Sequence, residues 1–155
     1  MDAIERMRLS FTLNGRAVEV DVEPSDLLID VLRDRLGLKG TKRSCDVEVC
    51  GACTVLVNGL PVSSCTTLAA DADGQTVLTI EGVAQGGHLD RVQRAFVEHA
   101  GMQCGFCTPG MVLATTALLN VNPKPDEAEI RHFLRGNICR CTGYIKILEA
   151  VKSLV

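Results

Sequence analysis

Residues 45–53 read Cys-Asp-Val-Glu-Val-Cys-Gly-Ala-Cys, and a fourth cysteine, Cys65, follows later in the chain. Gly51 and Ala52 separate the second and third cysteines of this stretch, and their small side chains let the backbone approach a shared centre closely. A loop around an anionic centre must also aim backbone N–H groups at the sulfurs. Cys65 comes after an Asn58-Gly59 turn, so we expect it to close a four-thiolate cage from a neighbouring strand.

The spacing of these four cysteines is that of plant-type ferredoxins, which use it to hold a [2Fe-2S] cluster. Such a cluster is anionic in both redox states, which is why the small residues and inward N–H groups matter. The pattern therefore predicts that Cys45, Cys50, Cys53 and Cys65 are the ligands of one [2Fe-2S] cluster.

A second set of four cysteines lies in the C-terminal half, at Cys104, Cys107, Cys139 and Cys141. Each pair comes immediately before a predicted helix start, one at Thr108-Pro109 and the other at Thr142-Gly143. Two positive helix ends would then point at one anionic centre. The residues between the two pairs suffice for a helix, a Pro-rich turn and a second helix. We therefore predict a second iron-sulfur cluster here.

Other roles for the cysteines are less consistent with the spacing. Zinc held by four thiolates usually takes two Cys-x2-Cys knuckles, and each set offers only one. Four disulfides are not expected in a reducing compartment. A Cys–His nucleophile would need a nearby histidine, and we assign the histidines to helix surfaces, with no role in the site. The histidines are His88, His99 and His132.

The composition limits the function further. The chain has 155 residues, with 16 basic and 19 acidic side chains and a net charge of −3. A chain of this length can bury roughly 70% of its extended surface, so its core does not need disulfides. The chain lacks basic blocks, and aromatic residues make up only 3%, which argues against nucleic acid as a partner. The segment Met1–Leu9 is charged, and long apolar runs are missing, so we expect a cytoplasmic protein without a membrane span.

The first half of the chain reads as a sheet that carries one helix. Apolar and polar residues alternate from Met7 to Val22 around Asn14-Gly15, which predicts a hairpin with a type I′ turn. Apolar residues at helical spacing over 27–36 predict a helix that Gly37 ends. A second hairpin is predicted over 54–62, and a further strand over 76–80.

After Gly82 the apolar period changes to that of a helix. Four helices are predicted: one over 89–99, one from Thr108 to Leu119, one ending near Gly136, and one starting near Gly143. We therefore expect an α+β protein with a ferredoxin-like domain at residues 1–82 and a helical domain at 83–155.

Four longer motifs surround the cysteines. They are Lys39-Gly-Thr-Lys-Arg-Ser-Cys45, Cys50-Gly-Ala-Cys53-Thr-Val, Gln103-Cys104-Gly-Phe-Cys107-Thr-Pro-Gly110 and Gly136-Asn-Ile-Cys139-Arg-Cys141-Thr-Gly-Tyr144. Together these motifs resemble the small iron-sulfur subunit of the xanthine oxidase family of molybdenum hydroxylases. This family includes the small subunits of carbon monoxide, aldehyde, nicotinate and isoquinoline dehydrogenases and of 4-hydroxybenzoyl-CoA reductase. The resemblance covers essentially the whole chain.

The resemblance implies a β-grasp ferredoxin domain followed by a four-helix domain, and it implies a direction of electron flow. Electrons would pass from a molybdopterin centre through the C-terminal cysteine set to the N-terminal set, and then to FAD. Gln103 matches the family glutamine that hydrogen-bonds the pterin, and Cys141 matches the ligand whose sulfur contacts the pterin. The alternative for Gln103 is a polar residue at a helix end with no such role.

One stretch departs from the commonest family pattern. Many relatives have glycines around the first ligand, whereas this chain has Ser44 and the run Asp46-Val47-Glu48-Val49. Fewer residues here tolerate a positive φ. We still expect a cluster, with Asp46 and Glu48 disfavouring the addition of an electron.

A chain of this length has no room for a molybdenum or flavin domain, and its glycines form no dinucleotide fingerprint. The resemblance therefore implies separate partners: a large molybdopterin-binding subunit and a medium FAD-binding subunit, in a heterotrimer that dimerises. A free-standing two-cluster ferredoxin is the alternative. The apolar, weakly charged segment 103–120 favours a chain that is covered by partners.

Overall fold

The structure is a computed structural model, which describes residues 6–155. The charged segment Met1–Leu9, on which the expectation of a cytoplasmic protein partly depends, falls in part on Met1–Glu5, which lie outside the described residues. Within residues 6–155, no helix combines the length and the apolar character needed to cross a membrane.

The first half of the chain forms a five-stranded sheet with the strand order β2-β1-β5-β3-β4. Strands β1 and β2 pair antiparallel, β1 and β5 pair parallel, and β3 pairs antiparallel with both β4 and β5. The strands are β1 Met7–Leu13, β2 Arg16–Val22, β3 Thr54–Val57, β4 Leu60–Ser63 and β5 Thr76–Leu78.

Both predicted hairpins are confirmed. Asn14 and Gly15 connect β1 to β2 with φ angles of 51° and 79°, and Asn58 and Gly59 connect β3 to β4 with φ angles of 50° and 81°. A positive φ at both central residues is the requirement of a type I′ turn, which asparagine and glycine meet most easily. Strand β5 ends at Leu78, earlier than predicted, because the Asn14 side chain accepts the N–H of Thr79 at 2.9 Å.

The predicted helix over 27–36 is present, but its hydrogen-bonding pattern changes from α-helical to π-helical along its length. Helix α1, Leu28–Asp30, continues directly as a π-helical turn over Val31–Arg35. The N–H of Leu36 donates to the carbonyl oxygen of Val31 at 3.0 Å. Buried residues of this segment pack on one face of the sheet and form the first core, together with Leu9, Phe11, Val22, Val55 and Val77.

The second half contains four helices: α2 Arg91–Glu98, α3 Thr108–Val121, α4 Glu127–Leu134 and α5 Ile145–Lys152. Helices α2 and α4 each begin with a capping box, in which Asp90 pairs with Gln93 and Asp126 with Glu129. Helix α3 is buried around most of its circumference and lies among the other elements. The mixed fold, a sheet with helices, is confirmed.

The two halves are joined through α3 and β3. The helices share a core that includes Phe96, Met111, Ile130 and Val151. A separate buried cluster connects the halves, in which Leu56 of β3 packs against Leu113 and Ala117 of α3. This contact holds the sheet half and the helical half together close to both cysteine sets.

Candidate iron-sulfur centres

The four N-terminal cysteines lie in two contacting pairs. The sulfur of Cys45 contacts that of Cys50, and the sulfur of Cys53 contacts that of Cys65. Cys53 and Cys65 are buried beside Ile29 of α1, whereas Cys45 and Cys50 are partly exposed. Strand β3 begins directly after Cys53, so the sheet fixes the inner pair and the loop carries the outer pair.

Backbone N–H groups point at the outer pair, as the sequence predicts. The N–H of Val49 lies 3.4 Å from the sulfur of Cys45. The pKa of the Cys45 thiol is lowered to about 6, because the N–H groups of Val47, Val49 and Cys50 stabilise its thiolate. Burial, reinforced by the neighbouring Cys65 sulfur, raises the pKa of Cys53 to about 11.

The four C-terminal cysteines also lie in two contacting pairs. The sulfurs of Cys104 and Cys141 are 3.5 Å apart at the surface. The sulfurs of Cys107 and Cys139 contact each other deeper in the fold. Burial, together with the Cys139 sulfur, raises the pKa of Cys107 to about 12. Cysteines far apart in sequence thus come together here.

These four cysteines share one cleft of about 240 Å³, and Cys50 of the N-terminal set lies on its wall. Within residues 6–155, no three His, Cys, Asp or Glu side chains converge on one ion position. Two pairs of thiols suit a centre of two metal ions in which each ion takes two thiolates, as in a [2Fe-2S] cluster.

Two family models match adjacent parts of the chain. A 2Fe-2S iron-sulfur cluster binding domain matches residues 11–79, and a [2Fe-2S] binding domain matches residues 79–152. Each matched segment contains one of the two cysteine sets.

Similar proteins are small subunits of multi-subunit dehydrogenases. The nicotinate dehydrogenase small FeS subunit of Eubacterium barkeri is 46% identical over 98% of this chain and 97% of its own length. The caffeine dehydrogenase subunit gamma of Pseudomonas sp. (strain CBB1) is 47% identical over 94% of this chain and 89% of its own. The chain belongs to the small iron-sulfur subunits of the xanthine oxidase family of molybdenum hydroxylases.

Solved structures agree with this membership. A chain of quinoline 2-oxidoreductase from Pseudomonas putida 86 matches with a TM-score of 0.92 and 46% identity, covering 95% of this chain and 91% of that one. Aldehyde oxidoreductase from Desulfovibrio gigas matches with a TM-score of 0.92 and 40% identity over 96% of this chain. The iron-sulfur subunit corresponds to only 17% of that longer chain.

The loop where this iron-sulfur subunit departs from the family pattern has an unusual backbone. Asp46 and Glu48 adopt φ angles of 56° and 58°, a region that favours glycine. Arg43 holds Asp46 in an ion pair at 2.9 Å and also pairs with Asp30. The conformation that glycine would adopt freely is therefore imposed on two acidic residues.

Thr142 and Tyr144 form a hydrogen-bonded ring around Cys139, which the sequence analysis missed. The hydroxyl of Thr142 donates to the Cys139 sulfur at 3.2 Å and accepts the N–H of Tyr144 at 3.2 Å. The hydroxyl of Tyr144 accepts the N–H of Cys139 at 3.0 Å. Burial raises the pKa of the Cys139 thiol, but hydrogen bonds from Thr142 and from the N–H of Cys141 outweigh burial and lower this pKa overall.

The helix start predicted at Thr142-Gly143 is wrong in position. Helix α5 begins at Ile145, because Gly143 and Tyr144 have φ angles of 63° and 69°, outside the helical region. Helix α3 does begin at Thr108, directly after Cys107, as predicted. The positive end of α3 therefore adjoins the C-terminal cysteines, while a tight turn separates them from α5.

The surface around the outer C-terminal pair is open and partly apolar. Cys104 and Cys141 are exposed, and Gln103 is exposed beside Cys104. Phe106 and Ile138 line the same cleft and keep 45% and 44% of their surface exposed. Apolar side chains left exposed beside a cleft are typical of a surface that a partner covers.

Proposed function

We propose that this chain is the electron-transfer subunit of a molybdenum hydroxylase and that each set of four cysteines holds one [2Fe-2S] cluster. The proposed ligands are Cys45, Cys50, Cys53 and Cys65 in one set, and Cys104, Cys107, Cys139 and Cys141 in the other. The observation that carries the proposal is the gathering of eight thiols into two sets of two contacting pairs.

A [2Fe-2S] cluster, when bound, takes up and releases one electron at a time. The side chains of this subunit supply thiolates, and its backbone supplies N–H groups that stabilise negative charge. Binding requires the thiols to lose their protons, and the low pKa of Cys45 favours this loss. The folded chain then keeps the two sites at a fixed separation.

Exposed surfaces near both cysteine sets support the proposed partners. We infer that the large molybdopterin-binding subunit covers the cleft with Gln103, Cys104 and Cys141, and that Gln103 and Cys141 contact the pterin. The medium FAD-binding subunit would lie beside the N-terminal loop, where Val47 and Val49 keep 65% and 57% of their surface exposed. The complex would be a heterotrimer that dimerises in the cytoplasm, and the substrate would bind elsewhere than on this chain.

We also propose the domain arrangement in detail. Residues 1–82 form a β-grasp ferredoxin domain, and residues 83–155 form a four-helix bundle. Separate sheet and helix cores and the junction of the two family models at residue 79 support a boundary in this region.

The test is metal and cofactor analysis of the natively purified complex, with electron paramagnetic resonance of the reduced protein. We expect two distinct [2Fe-2S] signals, about four irons per copy of this chain, and molybdenum and FAD in the same complex. Cys53→Ser and Cys139→Ser serve as controls for each other, since each should remove a different signal. A chain that purifies alone with both signals would be a free-standing ferredoxin, and a colourless zinc protein would refute the proposal.

A further inference from the structure

The two cysteine loops touch each other directly. The backbone N–H of Ile138 donates to the carbonyl oxygen of Cys50 at 2.8 Å. Ile138 immediately precedes Cys139, so one hydrogen bond connects a proposed ligand of the N-terminal set to the neighbour of a ligand in the C-terminal set. The covalent route between the same two cysteines runs through most of the sheet and three helices.

The side chain of Asn137 holds this junction together through hydrogen bonds to the N-terminal loop. Asn137 is only 8% exposed, and its amide nitrogen donates to the carbonyl oxygen of Gly51 at 3.1 Å and to the hydroxyl of Thr54 at 3.2 Å. The hydroxyl of Thr54 donates in turn to the same Gly51 carbonyl at 2.7 Å. The backbone N–H of Asn137 is held by the carbonyl of Leu134, at the end of α4, at 2.9 Å.

The junction leaves no room for a side chain at Gly51. A Cβ added at this position would clash with the carbonyl of Gly136 and with the Asn137 amide. On the other side, a Cβ at Gly110 of α3 would clash with the Gly51 carbonyl. The Gly51 carbonyl, adjacent to Cys50 in the chain, is therefore enclosed by Asn137 and the first turn of α3.

We propose that Asn137 is a positioning residue for electron transfer between the two cysteine sets. The proposal rests on the proposed function, because it requires a cluster in each set. By holding the Gly51 carbonyl and the Thr54 hydroxyl, Asn137 keeps the neighbouring Cys50 carbonyl on the N–H of Ile138. With a cluster bound in each set, one electron would leave the C-terminal centre, which would be oxidised, and enter the N-terminal centre, which would be reduced. The step breaks no bond and transfers no proton.

Asn137 would affect the transfer because electron-transfer rates fall steeply as the distance between two centres grows. They also fall where the path of covalent and hydrogen bonds between the centres is interrupted. Without the Asn137 amide, the Gly51 carbonyl loses one of its three donors, the others being the hydroxyl and the N–H of Thr54. The buried Thr54 hydroxyl loses its donor as well. The loop would then be free to move away from Ile138. Separation of the loops lowers the electronic coupling between the centres without changing the ligands of either one.

The experiment uses the natively purified complex that carries Asn137→Ala. Asn122→Ala is the matched control, since the Asn122 side chain makes only local hydrogen bonds around the turn between α3 and α4, to Glu129 and from the N–H of Lys124. The readouts are iron content, the reduction potential of each centre, the magnetic splitting between the two reduced centres, and the rate of electron transfer between them in a single turnover. We expect Asn137→Ala to lose the splitting and to slow the transfer, with each potential close to that of the wild type.

An unchanged splitting and rate in iron-replete Asn137→Ala would refute the role of Asn137. If this variant loses iron, Thr54→Val decides instead, because it removes only the hydroxyl that Asn137 contacts; the proposal requires a smaller splitting here as well. Failure of the proposed function can be distinguished from failure of the Asn137 role. In that case the wild-type complex itself would lack two iron-sulfur signals.

Discussion

The hydroxyl of Thr142 lies 3.2 Å from the sulfur of Cys139. Within residues 6–155, it is the only side-chain O–H that donates to one of the eight cysteine sulfurs. A donor to a ligand sulfur stabilises the extra negative charge of the reduced state more than it stabilises the oxidised state. We therefore expect Thr142 to help set the reduction potential of the proposed C-terminal centre. The sequence motif contains Thr142, but the motif alone does not say which sulfur it contacts.

Thr142→Val should lower the reduction potential of the C-terminal centre. If the hydrogen bond favours the reduced state by about 1 kcal/mol, its loss shifts a one-electron potential by about 40 mV. A redox titration followed by electron paramagnetic resonance measures this shift. Thr116→Val is the control, because the Thr116 hydroxyl bonds only to the Val112 carbonyl within α3. A potential equal to that of the wild type, in a fully loaded variant, would contradict the role of Thr142.

Glu48→Gly should stabilise the protein. Glu48 has a φ angle of 58° and is exposed, and this backbone region costs an L-residue about 1 kcal/mol or more. Part of the gain is offset by the greater freedom of glycine in the unfolded chain. We expect a rise in melting temperature of about 2 °C, measured on the loaded complex. Asp46→Gly should gain less, because aspartate tolerates this conformation better and its ion pair with Arg43 is lost.

The first turn of α3 lies directly against the N-terminal cysteine loop. Gly110 is buried in this turn, and only a glycine lets the helix approach the Gly51 carbonyl so closely. The helix that begins at the C-terminal cysteines therefore also supports the loop of the N-terminal set. This contact ties the positions of the two sites together.

Gly110→Ala should destabilise the protein although alanine is the better helix former. The helix preference gains about 1 kcal/mol, but overpacking against a backbone carbonyl costs about 1–3 kcal/mol, so a net loss of about 1 kcal/mol is expected. Thermal unfolding and the signal of the N-terminal centre report the change. Gly136→Ala is the control, since a Cβ there meets nothing within 4 Å. Equal melting temperatures for the two variants would show that the close contact does not matter.

Local sequence patterns predicted most of the helices and strands, whereas contacts between residues distant in the chain became apparent only from the structure. Alternation and Asn-Gly turns were enough for both hairpins, and the cysteine spacing was enough to separate the two sets. The start of α5 was predicted too early because Tyr144 adopts a left-handed backbone conformation that the neighbouring residues do not indicate. Asn137 was missed because its partners, Gly51 and Thr54, belong to the other half of the chain.

The sheet core and the helical core meet at one small apolar seam. Leu56 of β3 packs against Leu113 of α3, while Leu119 of the same helix lies in the helical core. The seam is apolar and lies beside the junction of the cysteine loops. We infer that the two halves unfold together because this seam couples them.

Leu113→Ala should uncouple the two halves, whereas Leu119→Ala should weaken the helical half alone. Leu113 and Leu119 are 1% and 3% exposed, so each truncation costs about 2–5 kcal/mol. With Leu119→Ala, both iron-sulfur signals should still disappear in one transition at a lower temperature, because the seam remains intact. With Leu113→Ala, the two signals should disappear at separate temperatures, and the magnetic splitting between them should weaken. The measurement is to heat the loaded complex and follow each iron-sulfur signal. If both signals of Leu113→Ala disappeared in one shared transition, the hydrogen-bonded junction at Asn137 would be what couples the two halves, and the seam would not be needed.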